Sequence, residues 1–538
     1  MNWRDRPRCD RTAAWAALQA HARRFVDAPH SGLVDRAARD AGGSTQSEAA
    51  RFDLRAALAS DPARVSRFSW EAAGVWVDAS KSLIDDAASD ALLALARECG
   101  LEVWRDAFLA GEPVNVTEGR AAKHWLLRAP AGSSGDADAA EVQATLGAML
   151  AFAEQVRADP AITDIVHLGI GGSDLGPRMA CEALHALAPP RQRLHFVSNV
   201  DGHALDAVLR DLPVHGTLFI VASKSFSTAE TMANARSALD WYAARGGRQV
   251  AQQFVGLTTH IEAARALGIT RTFGFREWVG GRFSLWSAIG LPIAIAAGAK
   301  AFRALLAGAH AMDRHFAQAP LAANLPVRLA LLDLWYRNFL GCASRHVAPY
   351  HAGLQHLPAW WQQLEMESNG KRVDIRGDPL PYATAPVVWG APGTDGQHAF
   401  FQMLRQGTDL VPVEFIAVRD AAHDLPGHHV HLLANALAQA RAMLQGQAND
   451  DPHRAMPPGR PSLFTVLDAL TPESLGALLA LYEHRTVCCG ALWGLNSFDQ
   501  FGVEQGKVIA QDIAQRLASG DVSGLDASTA QLLQRLRG

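Results

Sequence analysis

The hydrophobic pattern changes character along the chain. Between about residues 11 and 110, apolar positions recur at helical spacing in an Ala-rich background. They run through Trp15, Leu18 and Phe25, then Leu54, Leu58 and Phe68, then Leu92, Leu93 and Leu95. One short run after Gly74, Val75-Trp76-Val77, has strand composition. This stretch is predicted to be a helical packing layer without chemistry of its own. Asn115–His124 is predicted to open a helix ending near Arg128, and Ala131–Asp136 reads as a connector rich in Gly and Ser. From about residue 140, short apolar runs alternate with amphipathic stretches, the pattern of a parallel sheet covered by helices. The strand-like runs are Asp164–Ile170, Leu194–Val197, Thr217–Ala222 and Phe254–Leu257. A second group begins near residue 345, with Ala385–Trp389, Leu410–Val418 and Leu463–Val466. One long helix from about Ser284 is predicted to join the groups. The fold class is α/β, and ligands in such sheets bind beyond the C-terminal ends of the strands.

The first candidate site falls at such an end. Thr217–Ala222 runs into Ser223-Lys-Ser-Phe-Ser-Thr-Ala-Glu-Thr231, and then into a helix on which Met232, Ala235, Leu239 and Tyr242 share a face. Strand, hydroxyl-rich turn and helix start make an anion site: the first N–H groups of the helix lack internal acceptors and its dipole favours negative charge. Ser223, Ser225, Ser227 and Thr228 add hydroxyl donors and Lys224 an ammonium, so a phosphate monoester is the expected guest. Ser227 and Glu230 also have the spacing of a capping box, which leaves the other hydroxyls available.

Gly169-Ile-Gly-Gly-Ser-Asp-Leu-Gly176 follows the first strand but fails the dinucleotide fingerprint, since Asp174 stands where the third glycine belongs. It reads instead as a close approach of backbone to a polar ligand, with Ser173 in contact. Arg282 lies just before the predicted long helix, where the dipole opposes a cation unless an anion is near. The surface alternative pairs it with Glu277. Glu367 sits at the end of an aromatic-rich helix stopped by Asn369-Gly370. It is a candidate base, and Glu365 is an equal one on local grounds. His398, in Gly393-Thr-Asp-Gly-Gln-His398, is a candidate acid or base. Gln500, Glu504 and Lys507 are predicted to share one helical face.

Composition narrows the classes. Lys plus Arg number 50 and Asp plus Glu 54, a net charge of −4, against a general nucleic-acid or anionic-membrane binder. The six scattered cysteines suit a reducing cytoplasm. Met1–Asp10 lacks the apolar core of a signal peptide, and Phe283–Ala299, with Pro292 inside it, is shorter than the roughly 20 residues of a membrane span. His423, His428, His429 and His431 have no matching carboxylate or cysteine set, so no metal is expected.

Together and in this order, GIGGSDLG, SKSFSTAET, GGRFSLWSAIG, MESNGK, GTDGQH and FDQFGVEQGK closely resemble the glucose-6-phosphate isomerase family, over about residues 115 to 510. The resemblance implies two αβα sugar-isomerase-type domains with parallel-sheet cores. A helical region 1–120 precedes a smaller domain 121–285 and a larger domain 286–507, and a helical tail 508–538 follows. It implies a homodimer without cofactor that interconverts glucose 6-phosphate and fructose 6-phosphate. By matching position, Ser223, Lys224, Ser225 and Thr228 hold the phosphate, while Ser173 and Gln500 orient the sugar. His398, supplied by the neighbouring subunit, opens the ring with Lys507. Glu367 carries a proton between C2 and C1 through an enediol, and Arg282 stabilises the negative charge that develops there.

Overall fold

The computed structural model describes residues 2–25 and 51–537, so the helical expectation for 26–50 lies outside the described residues. The chain divides into two units, one up to Ser497 and one from Phe498. All the described strands belong to the first. They are Ser69–Ala72 (β1), Val75–Asp78 (β2), Asp164–Leu168 (β3), Arg193–Val197 (β4), Thr217–Ala222 (β5), Phe254–Leu257 (β6), Arg271–Phe273 (β7), Ser344–Tyr350 (β8), Val387–Gly390 (β9), Val413–Val418 (β10) and Ser462–Leu467 (β11).

β4-β3-β5-β6-β7 form a wholly parallel sheet in that order. Its central strands β3 and β5 are buried at every position, as near-continuous apolar runs with helices on both faces must be. The second sheet, β1-β2-β11-β10-β8-β9, is mixed. Four of its strands are parallel, but the β1–β2 hairpin adds antiparallel to β11. The hairpin closes on Ala73 and Gly74, both at positive φ (49° and 76°), a two-residue turn whose twist matches the flanking strands. The strand-like run at Val75 is therefore an integral strand of this sheet, paired on both sides, and not an interruption in a packing layer.

The long helix expected from Ser284 is three pieces. Short turns lead to Leu291–Ala297, with Pro292 in its first turn, and Ala299–Gln318 begins anew after Gly298. Proline tolerates only a first turn, and Gly298 at φ 91° cannot continue a helix. Similarly, Asn115 and Arg120 pair across a tight turn, and only His124–Arg128 coils, as a 3-10 segment. Among the described residues, no helix is long and apolar enough to cross a membrane.

The Pro472–Trp493 helix is buried from Leu475 to Trp493, so Glu483, His484 and Arg485 must find partners inside. Arg128 binds Asp313 through two nitrogens (2.9 and 2.6 Å) and also contacts Glu483. Trp286 donates its indole N–H to Glu483 (2.8 Å), and His484 meets Asp313 at 2.7 Å. Burial, opposed by Arg128, pushes the Glu483 carboxyl from 4.5 up to about 7. Between those values the folded chain holds a proton that the unfolded chain has released. This contribution is complete below the unfolded value and is lost as pH rises through about 7. Urea midpoints should therefore show the parent losing about 2 kcal/mol more than Glu483→Gln between pH 5 and pH 8. Parallel pH profiles for the two proteins would refute the assignment.

Candidate active site

The loop after β5 is pinned by Phe226. That residue takes φ 49° and buries its ring among Val221, Met232 and other core side chains. The inward ring leaves Ser225 and Ser227 exposed. The four hydroxyls pair two by two, Ser227 to Ser225 at 2.7 Å and Ser223 with Thr228 at 3.1 Å. The Ala229–Ala244 helix starts here with Thr228 at its N-cap and no side-chain cap. The expected capping box is thus absent, because Ser227 bonds Ser225 instead. The first-turn N–H groups are left without that acceptor, the condition an anion site needs.

Lys224 turns to a neighbouring segment. Its ammonium donates to the carbonyls of Glu277 (2.7 Å) and Val279 (3.3 Å) and lies 3.2 Å from the Glu277 carboxylate. Burial lowers its pKa against the opposing pull of Glu277. Three residues beyond Val279 comes Arg282, in a single 3-10 turn and not at the mouth of a long helix. Its side chain is buried. Nε donates to Ser368 Oγ (2.7 Å), one terminal nitrogen to the Ser497 carbonyl (2.6 Å), and the other lies 3.5 Å from Glu367 Oε2. The surface pairing with Glu277 does not occur, since Glu277 engages Lys224 and Arg120.

The glycine-rich loop after β3 closes on the same turn. A Cβ at Gly172 would overlap the Gly281 carbonyl, so the two backbones meet as only glycine permits. Ser173 ends this loop, and its carbonyl is held by His167 Nε2 at 2.6 Å.

The Leu357–Asn369 helix brings in the carboxylates and stops at Gly370, as its sequence predicts. Glu365 and Glu367 part company there. Glu365 is wholly buried, accepting from Asn369 Nδ2 (3.1 Å) and Thr486 Oγ1 (2.9 Å), and burial raises its pKa. Glu367 keeps 22% of its side chain exposed beside Arg282. Of the two, only Glu367 can reach a ligand. His398 ends a 3-10 turn beyond β9; it is exposed and has no side-chain partner among the described residues. Gln500 and Lys507 belong to the second unit. Gln500 precedes a 3-10 turn, Phe501–Val503, and the helix proper begins at Glu504. The predicted common face of Gln500, Glu504 and Lys507 is therefore broken, and only the last two share a helix. No group of three or more potential metal ligands forms among the described residues.

The phosphoglucose isomerase family model matches residues 78–533. Glucose-6-phosphate isomerase of Albidiferax ferrireducens is 59% identical, covering 98% of this chain and 99% of the relative. That of Leptothrix cholodnii is 55% identical, covering 99% of both. The chain belongs to the phosphoglucose isomerase family. The crystal structure of a glucose-6-phosphate isomerase from Chlamydia trachomatis superposes with a TM-score of 0.86 at 31% identity, over 98% of this chain and 99% of that one.

For a phosphoglucose isomerase, the first unit thus joins Ser173's loop, Arg282 and Glu367 through direct contacts, and ties Lys224 to the segment just before Arg282. Among the described residues His398 bonds none of them. One neighbour escapes the sequence reading: Gln363, whose Nε2 donates to Glu367 Oε2 at 2.9 Å and which faces Gly171 across the glycine loop. Its signal was the i, i+4 spacing to Glu367 on one helix face.

Proposed function

We propose that this chain interconverts D-glucose 6-phosphate and D-fructose 6-phosphate. The observation that carries the reading is Glu367: a half-buried carboxylate held by Gln363, beside a buried arginine that follows the segment, Glu277 to Val279, to which the lysine of the hydroxyl-rich loop is bonded. The phosphate sits on the 223–228 loop. There Ser223, Ser225 and Thr228 trade their mutual bonds for bonds to its oxygens, and Lys224 adds positive charge from behind. His398 moves the proton between the ring oxygen and the C1 hydroxyl, so that the sugar opens. Glu367 then removes the C2 proton and delivers it to C1 by way of an enediol. Arg282 offsets the negative charge that develops on the intermediate's oxygens, and works strongly because it is already buried and oriented. Ser173 and Gln363 orient the sugar. Gln500 and Lys507 enter on the FDQFGVEQGK motif, Lys507 assisting His398.

The active form is a homodimer in which His398 serves the partner's site; the exposed imidazole, without a side-chain partner among the described residues, supports this. An active monomer in sedimentation at assay concentration would remove it. Two sugar-isomerase-type halves, 121–285 and 286–507, are built on the parallel strands of the two sheets, between a region 1–120, which adds the β1–β2 hairpin to the second sheet, and a tail 508–538. The buried, unpaired state of all six cysteines favours a cytoplasmic setting.

A coupled assay from fructose 6-phosphate to glucose 6-phosphate, without added metal or nucleotide, tests the activity directly. Ser225→Ala with Thr228→Ala should raise KM for fructose 6-phosphate about tenfold or more, since hydrogen bonds to a charged group contribute roughly 1.5–3 kcal/mol each. An unchanged KM would displace the phosphate from this loop.

A further inference from the structure

The site so described leaves the motif Asn115-Val-Thr-Glu-Gly-Arg120 without a task. The backbones of Asn115 and Arg120 bond in both directions (3.1 and 3.2 Å), closing the turn. Inside it, Glu118 accepts from Asn115 Nδ2 and from Arg120 Nη2, each at 2.6 Å. Outward, Arg120 Nη1 reaches Glu277 Oε2 (3.3 Å), the oxygen that lies 3.2 Å from the Lys224 ammonium. On the other side Asn496 Nδ2 donates to Asn115 Oδ1 (2.9 Å) and Thr117 Oγ1 (2.6 Å). The next residue, Ser497, gives its carbonyl to Arg282 (2.6 Å) and its hydroxyl to Asn369 (2.8 Å). One six-residue turn therefore bonds the partner of the phosphate-loop lysine at one edge and the neighbour of the arginine's acceptor at the other.

We propose that the Asn115–Arg120 turn is a positioning strap that fixes the separation between the phosphate loop and the Arg282–Glu367 pair. The inference rests on the isomerase reading, in which one substrate must be gripped at C6 and attacked at C1 and C2. A sugar anchored by its phosphate presents those carbons correctly only if the two ends keep their spacing, and a misplacement of about 1 Å can cost about a hundredfold in rate. Glu118 and Arg120 keep 26% and 33% of their side chains exposed. Their ion pair consequently adds little to folding, and its loss should show in turnover.

Arg120→Met tests the strap with two probes. Inorganic phosphate needs only the loop, whereas 6-phosphogluconate carries an anion at each end and needs both. The variant should bind inorganic phosphate within about twofold of the parent, bind 6-phosphogluconate about tenfold more weakly and lose about tenfold in kcat, with Arg120→Lys restoring most of both losses. Equal weakening of the two probes, or no weakening, overturns the proposal, as does a lowered Tm with unchanged kinetics. Hydrogen exchange gives a readout independent of the substrate. Arg120→Met should raise exchange in 223–228 and in 494–497 together, and a rise confined to 115–120 overturns the strap. A parent that turns over no fructose 6-phosphate instead defeats the isomerase reading, and the exchange result still decides the strap.

Discussion

Glu367→Gln is expected to lower kcat for fructose 6-phosphate by roughly 10³-fold while the sugar phosphate still binds. The exchange is nearly isosteric, and a glutamine oxygen can still accept from Gln363 at the place where Glu367 Oε2 does now. Arg282 retains Ser368 and the Ser497 carbonyl. What disappears is the basic oxygen that takes a proton from carbon. Affinity for fructose 6-phosphate by calorimetry should stay within a few-fold, and exchange of the C2 hydrogen of glucose 6-phosphate with solvent should stop. Glu365→Gln is the contrasting change. Glu365 is sealed behind Asn369 and Thr486, so its loss should appear in stability and leave C2 exchange running. Activity within tenfold of the parent for Glu367→Gln would remove this carboxylate from the chemistry.

The sheet strands that the sequence announces most plainly are those buried on both faces. β3, β5 and β10 are short apolar runs that fit little else. β8 was missed because its sequence, Ser-Arg-His-Val-Ala-Pro-Tyr, carries an arginine, a histidine and a proline inside a strand. Tertiary partners reverse the local preference: Arg345 pairs with Asp333 at 3.0 Å and lies over the Trp361 ring, while His346 is enclosed by Trp389, Phe400 and Phe401. β1 was missed for a different reason, since four residues with one buried position give almost no periodicity.

At the site, loops with unusual local chemistry were readable and partnerships were not. Ser223–Thr228 stands out because a strand, hydroxyls and a helix start follow one another. Nothing in the sequence near Lys224 says that its ammonium will be claimed by Glu277, more than fifty residues on, or that Gly172 must be bare because Gly281 lies against it. The choice between Glu365 and Glu367 was likewise undecidable locally. Two residues apart on a helix point about 200° apart, and only the packing of the Pro472–Trp493 helix decides which faces the interior.

That helix carries the largest expected effect on stability. Arg485→Met should destabilise the chain by about 3–5 kcal/mol, because it strands two buried carboxylates. Arg485 binds Asp333 through two nitrogens (2.6 and 2.7 Å) and Glu414 through a third (2.8 Å), and all three side chains are nearly inaccessible. Arg345 would remain beside Asp333, and Tyr482 would still donate to Glu414 (2.7 Å), but neither replaces the lost guanidinium. The effect should reach the site, since Thr486 on the same helix holds both Glu365 and Asn369, at the end of the helix that presents Glu367. Urea unfolding measures the loss. If charge burial is its cause, adding Asp333→Asn and Glu414→Gln to Arg485→Met should recover more than half of it. A single variant within about 1 kcal/mol of the parent would mean that the carboxylates find other compensation, against the usual cost of an unpaired buried charge.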